Sequence, residues 1–337
     1  MRISIIVNNH NYGRYVGEAI ESALAQDHSD VEVIVVDDGS VDDSREVIST
    51  FDKKVVTVFK EQGGQSSAVN AGLERATGEA VMVLDADDRL RPSAARRVAE
   101  LMGAYPEVVR IQFRMAVIDA GGALSGEHVP SFDVQMPSGD IRSLTLSSAF
   151  QLVYPPTSGH AFRTTALRQI APIPTDYGPT GADWYLVHLT SLLGHVASCD
   201  DALGEYRIHG QNAYMRAENQ TDIRQLQDSI KYQELTMRYM SSLARELGLG
   251  DGRMESATNS IFRVISIRFA RETHPRAGDS LSAALAGTVR STITRRDGIP
   301  LHRRALVPVW CAAVAAGPRP VARTLVRGEP FRVAVRD

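Results

Sequence analysis

Two cysteines, Cys199 and Cys311, are the only thiols in 337 residues. That number cannot make a disulfide framework, and a reducing compartment is the default expectation. No stretch approaches the ~20 apolar residues that a transmembrane helix requires. The longest candidate, residues 305–317, is too short and contains Pro308. The first residues run directly into an apolar β-type segment without a basic region, a long apolar stretch and a cleavage site in series, so no signal peptide is expected. A cytoplasmic protein follows, soluble or peripheral at the inner face of the membrane. No G-x-G-x-x-G or Walker pattern follows the first apolar run, which leaves a dinucleotide site and a P-loop without support. The basic residues are not interleaved with aromatics and no reader motif is present, so no nucleic-acid partner is expected.

What is there suits a globular enzyme. The chain is 43% hydrophobic and 23% charged, and its length fits two domains or one large domain with an appendage. The net charge of -3 hides an uneven distribution: about 28 acidic against about 17 basic residues before Arg216, and about 12 against about 20 from there on. The halves therefore have different jobs, or the arginines are scattered over solvated helices. We divide the chain into residues 1–215 and a helical C-terminal region, residues 216–337.

The first ninety residues alternate between the periods of strand and helix. Residues 3–7, 31–36, 55–59 and 80–84 read as strands, the second being a continuous apolar run of the kind buried on both faces of a parallel sheet. Helices are expected over 15–26 and 42–50. Ser66 or Ser67 caps a third, which runs to Ala76 and is ended by Gly78. Pro92 opens a fourth at a first-turn position. Four strands alternating with helices predict an α/β sheet of the doubly wound kind. Residues 108–118 read as a further strand, residues 121–139 as a mobile loop, 164–170 and 183–193 as helices, and 203–208 as a last strand. Helical spacing returns over 222–247 and 261–269.

In such sheets ligands bind beyond the carboxyl ends of the strands, and three strand ends here carry polar clusters: Asn8-Asn9-His10-Asn11, Asp37-Asp38-Gly39-Ser40 and Asp85-Ala86-Asp87-Asp88. One acidic turn is usually only a turn; three on one edge point to a site. Hard divalent cations prefer oxygen ligands and commonly combine one or two carboxylates with substrate phosphate oxygens, a need that Asp85, Asp87 and Asp88 meet. Asp38 can accept a hydrogen bond from the N–H of a pyrimidine base, whereas Asp37 reads as a structural partner of its own turn. Asp183, at the start of a predicted helix, is either a helix cap or a base for an acceptor hydroxyl. His209 is a third metal ligand or a loop histidine. His160 lies beside a turn, on the acceptor side or at the surface.

The ordered blocks resemble the family 2 glycosyltransferases, which have the GT-A fold. Residues 4–26 (SIIVNNHNYGRYVGEAIESALAQ), 33–40 (VIVVDDGS), 64–79 (GQSSAVNAGLERATGE) and 84–88 (LDADD) are similar to its donor half, and residues 157–167 (TSGHAFRTTAL), 181–184 (GADW) and 206–212 (YRIHGQN) to its acceptor half. The resemblance implies a Rossmann-like, mixed and mainly parallel sheet flanked by helices, with a C-terminal helical appendage. It implies nucleotide-sugar contacts at Asn8, His10, Asp38, Gln65 and Asp85. It implies metal ligation by Asp87 and His209 with Asp88 as an alternative, Asp183 as catalytic base, and His160 and Trp184 on the acceptor side. Ala182 stands where the family usually has a glutamate before the base, and His10 replaces a common tyrosine.

The expected activity is inverting transfer of a sugar from a nucleotide-diphosphate donor, a UDP- or dTDP-sugar, to a hydroxyl of a glycan, lipid-linked or small-molecule acceptor. The expected cofactor is Mn²⁺ or Mg²⁺, and the expected setting is polysaccharide biosynthesis. A sugar nucleotidyltransferase and a non-catalytic nucleotide-binding module are the alternatives. The C-terminal region is expected to pack on the catalytic domain or form a homodimer, with peripheral membrane contact as the further option.

Overall fold

A computed structural model describes residues 1–210, 212, 221–250, 257–294, 305–328 and 333–334. The chain forms two compact units: Met1–Arg142 with Val153–His209, and Ser143–Leu152 with Gly210–Asp337. In chain order the first unit contains β1 (Ile3–Asn9), α1 (Gly13–Leu24), β2 (Val31–Asp38), α2 (Ser44–Ser49), β3 (Val56–Lys60), α3 (Gln65–Arg75), β4 (Ala80–Asp85), β5 (Arg89–Leu90), α4 (Ala94–Ala104), β6 (Val108–Ile118) and β7 (Leu124–Val129). After α5 (Arg142–Ser148), most of which belongs to the second unit, come β8 (His160–Arg163), α6 (Thr164–Ile170), α7 (Ala182–Leu193) and β9 (His195–Arg207).

The strands form one sheet in the order β3-β2-β1-β4-β8-β6-β9-β5, with β7 paired to β6. The pairs β1–β2, β2–β3 and β1–β4 are parallel, and β6 runs parallel to β9, whereas β8 lies antiparallel between β4 and β6. The sheet is thus mixed, as the resemblance implies. Burial explains the apolar runs: β1 and β4 are covered on both faces, with α1 and α4 contributing Val16, Ile20, Ala23, Ala95, Val98 and Met102 to the core of one face. On the other face α3 lies so close to β1 that a Cβ on Gly72 would sit 2.4 Å from Cγ2 of Ile6. Glycine permits that approach.

Three local expectations are corrected. Neither Ser66 nor Ser67 caps α3. The N-cap is Gly64, held at φ +82°, so Gln65 becomes the first helical residue, and α3 ends at Arg75, one residue before the expected Ala76, which is its extended C-cap. The stretch 121–139 is not all loop, because β7 pairs antiparallel with β6. The last strand begins at His195, well before residue 203, and is bulged where it follows β6. Irregular pairing breaks the two-residue alternation that would have shown its length.

The second unit contains β10 (Thr221–Asp222), α8 (Ile223–Glu246), α9 (Ala257–Phe269), α10 (Leu281–Thr294), α11 (Leu306–Ala316), α12 (Arg319–Arg327) and β11 (Val333–Ala334). Asp222 and Gln225 form a capping box at the start of α8, which satisfies two otherwise orphaned backbone donors. Leu226 and Ile230 of α8, Val264 and Ile265 of α9, Ala284 of α10 and Cys311 and Val314 of α11 make its core. Among the described residues no helix is long and apolar enough to cross a membrane.

Candidate active site

Strand register brings the three polar clusters together. Asn8 pairs with Asp85 across β1–β4, Asn9 with Asp37 across β1–β2, and Asp38 with Lys60 across β2–β3. All four strands end at one edge, so these residues gather there, beside the point where successive strands leave β1 in opposite directions, the place where such sheets bind ligands.

Asp85 is held from both sides. Its Oδ1 accepts from Asn8 Nδ2 at 2.8 Å and from Gln65 Nε2 at 2.9 Å. Burial, and then the neighbouring Asp87, push its carboxyl up to about 6. Its backbone N–H donates to Ser158 Oγ at 3.0 Å, and the same hydroxyl donates to Asp88 Oδ2 at 2.7 Å. Ser158 therefore ties the first and last aspartates of the turn together.

Asp87 and Asp88 have different surroundings. Asp87 Oδ2 lies 3.0 Å from His209 Nε2, and the imidazole is stacked on Tyr15 at 5.0 Å with Tyr12 edge-on at 5.6 Å. Asp88 is turned inward: Oδ2 is taken by Ser158, and Oδ1 accepts the backbone N–H of Arg207 at 3.0 Å. Burial, with Asp87 and Asp85 adding to it, raises the Asp88 carboxyl well above its ordinary value. Arg207 is fully buried and braces the turn from below. Its Nε donates to the Asp87 carbonyl at 2.8 Å, Nη2 donates to Glu18 at 2.7 Å, and its guanidinium lies over the Tyr15 ring.

A carboxylate and an imidazole meeting at 3.0 Å fit a divalent cation whose remaining positions come from diphosphate oxygens and water. Among the described residues no cluster of three or more His, Cys, Asp or Glu side chains suited to an ion is present.

At the end of β2, Asp38 is buried and engaged. Lys60 Nζ donates to Oδ1, and the backbone N–H groups of Gly63 and Gly64 donate to its carboxylate at 2.9 and 2.6 Å. His10 Nδ1 lies 2.8 Å from the Asp38 carbonyl, which fixes its ring against this turn. Asp37 is structural. Burial works against its ionised form, but hydrogen bonds from Ser40, Arg45 and Asn9 outweigh it and hold the carboxyl below its ordinary value.

Asp183 occupies the first turn of α7 and accepts the Trp184 N–H at 2.8 Å. It does not cap the helix, since the N-cap is Gly181. Burial, and then Asp85, push its carboxyl up to about 7. Trp184 is partly exposed and stacks on His188 at 6.0 Å between centroids. His160 is only 1% exposed, with Nε2 3.2 Å from the Pro155 carbonyl, so it is buried rather than at the surface. Burial, and then Arg110, push its imidazole well below its ordinary value.

Sequence reasoning missed Ser158, Arg207 and Lys60 as parts of the site. Ser158 and Arg207 stood inside quoted blocks, but nothing local marks a serine or arginine as the partner of an aspartate some 70 or 119 residues away.

Comparison with known proteins shows the family and the fold. The family described as Glycosyl transferase family 2 matches residues 4–169. An uncharacterized glycosyltransferase of Nostoc sp. is 35% identical over 269 residues, covering 78% of this chain and 81% of the relative. Another, from Haemophilus influenzae, is 26% identical over 252 residues, covering 68% and 73%. The crystal structure of S. aureus TarS 1-349 in complex with UDP shares the fold, with a TM-score of 0.57 at 17% identity, covering 100% of this chain and 95% of that one. With its polar strand ends gathered on a GT-A sheet and a relative matched over most of its length, the chain belongs to glycosyltransferase family 2.

Proposed function

We propose that this glycosyltransferase inverts configuration at the anomeric carbon by a single displacement, with Asp183 as the base. The observation that carries the reading is the Asp183 carboxyl, pushed up to about 7 by burial and then by Asp85, at the head of α7. A carboxyl near neutrality can take a proton and still be ionised in much of the population. The positive end of the helix favours its ionised form, against the burial that opposes it.

In the proposed step the acceptor hydroxyl gives its proton to Asp183 and its oxygen attacks the anomeric carbon. The bond from that carbon to the diphosphate breaks, and the nucleoside diphosphate departs with the electron pair. Asp87 and His209 would hold Mn²⁺ or Mg²⁺, which when bound offsets the charge gathering on the diphosphate. Asn8 holds Asp85 toward the nucleotide. His10 and Asp38 form the base end of the site, and a base N–H reaching Asp38 competes there with Lys60. The solved structures of TarS with UDP and with UDP-GlcNAc support a uridine donor. The acceptor is a hydroxyl of a glycan, lipid-linked or small molecule, beyond Trp184.

The test is Asp183→Asn, assayed with Mn²⁺ and a panel of nucleotide sugars. Transfer is expected to vanish while nucleoside-diphosphate and cation binding stay near normal. Retained turnover would remove Asp183 from the mechanism. Release of pyrophosphate from a nucleoside triphosphate by the unmodified enzyme would point instead to nucleotidyl transfer.

A further inference from the structure

We propose that Gln65 is the positioning residue that fixes the base relative to the donor end of the site. The inference rests on the assignment of Asp183 as base.

One side chain reaches both sides of the site. Gln65 Nε2 donates to Asp85 Oδ1 at 2.9 Å, and its Oε1 accepts the backbone N–H of Ala182 at 3.1 Å. Ala182 is the first residue of α7 and the immediate neighbour of Asp183. An amide in the first turn of a helix has no intrahelical acceptor, so the bond from Gln65 satisfies a donor that the helix cannot satisfy itself. The side chain at position 182 is a methyl group, which gives this turn no polar anchor of its own.

The backbone around Gln65 continues the attachment. Gln65 N–H donates to the Pro179 carbonyl at 3.0 Å. A Cβ on Gly64 would lie 2.8 Å from the Gly178 carbonyl oxygen, so the two turns touch through glycine. Farther along α3, the Asn70 side chain donates to the Ile173 carbonyl and accepts the Ile173 N–H, each at 2.8 Å. Helix α3 thus fastens the segment leading into Asp183 at Ile173, Pro179 and Ala182, and fastens Asp85 through the same glutamine.

Two carboxylates facing one site repel each other, and Asp85 contributes to the raised Asp183 carboxyl. A neutral amide between them donates to one side and accepts from the other without adding charge. A shorter or apolar side chain releases Ala182, so the head of α7 loses this anchor beside Asp183 while the bonds at Pro179 and Ile173 remain. Asp85 keeps its bond from Asn8, so donor binding survives the loss. A displacement of about 1 Å in a reacting group costs roughly 100-fold in rate.

The experiment compares Gln65→Met and Gln65→Asn with the unmodified enzyme and with Asp183→Asn. Methionine keeps the length without the hydrogen bonds, and asparagine keeps the polarity but is one methylene too short to span both partners. Both variants are expected to lose roughly 100-fold in kcat, with donor KM and nucleoside-diphosphate affinity by calorimetry close to those of the unmodified enzyme. Unchanged kcat in both variants, with Asp183→Asn inactive, overturns the positioning role and leaves the base assignment standing. Parallel loss of kcat and nucleotide affinity also overturns it, since Gln65 would then act on the donor alone. An active Asp183→Asn removes the base assignment itself, whatever the Gln65 variants do.

Discussion

At the scale of single residues, neighbouring aspartates in one turn have different surroundings. Asp87 faces His209, whereas both oxygens of Asp88 are engaged by Ser158 and the Arg207 backbone. If Asp87 and His209 are the cation ligands, Asp87→Ala and His209→Ala should each weaken Mn²⁺-dependent nucleotide binding by about 10–100-fold. Asp88→Asn should leave that binding nearly intact, because the amide retains the shape and an acceptor for Arg207. Calorimetric titration of UDP with and without Mn²⁺ checks this; a larger effect for Asp88 than for Asp87 would reverse the assignment. The sequence exposed the aspartates, because strand ends are readable from the apolar runs before them. The resemblance implied Asp85 toward the nucleotide and Asp87 toward a metal, but the sequence did not expose how each aspartate is held. That depends on Ser158 and Arg207, which long-range pairing delivers, and on Lys60, which reaches Asp38 only through the register of β2 against β3.

At the scale of elements, strands buried on both faces were legible because continuous β-branched and aliphatic runs have few other uses. β7 was not, since Leu124, Ser125, Gly126 and Glu127 are exposed and show no alternation to read. The start of α3 was misread for a related reason: serine is a common cap, but only tertiary contact reveals that Gly64 must have positive φ where Gly178 approaches it. The fit of α3 against β1 makes a second prediction. In Gly72→Ala the new methyl carbon would meet Cγ2 of Ile6 at 2.4 Å, and overpacking of this kind costs about 1–3 kcal/mol. Alanine's better helix propensity returns up to about 1 kcal/mol, so net destabilisation is expected as a lower midpoint in urea. A midpoint equal to or above that of the unmodified chain would mean that α3 shifts without cost.

At the scale of the whole molecule, the second unit takes Ser143–Leu152 together with residues from Gly210 onward, and a unit assembled from separate stretches leaves no local mark in composition. Charge is the global quantity that was visible early. The acidic front half concentrates Asp85, Asp88 and Asp183 in one site, and all three carboxyls are raised, Asp85 to about 6 and Asp183 to about 7, with burial the leading cause in each. A carboxyl raised in the folded state holds its proton more tightly there than in the unfolded chain. Between the ordinary carboxylate range and pH 7, the folded state therefore binds more protons, and stability falls as pH rises. The carboxyls held low, such as Asp37 and Glu32, are ionised in both states across this window and do not alter the slope. His160 opposes it below its ordinary value, because its buried imidazole stays neutral while the unfolded one takes a proton. Asp228, raised by burial, adds to the decline, and among the described residues these four carboxyls outweigh the one imidazole, so the protein free of ligand should melt at a lower temperature at pH 7.5 than at pH 5.5. Asp183→Asn should flatten that decline, since an amide does not titrate. If Mn²⁺ and a nucleoside diphosphate bind the folded state alone and favour ionised carboxylates, as the proposed function requires, their stabilisation should be larger at pH 7.5 than at pH 5.5. Scanning calorimetry of both proteins at the two pH values, with and without Mn²⁺ and UDP, measures all of this. A melting temperature that rises between pH 5.5 and 7.5 in the absence of ligand would show that these carboxyls are already ionised in the folded protein.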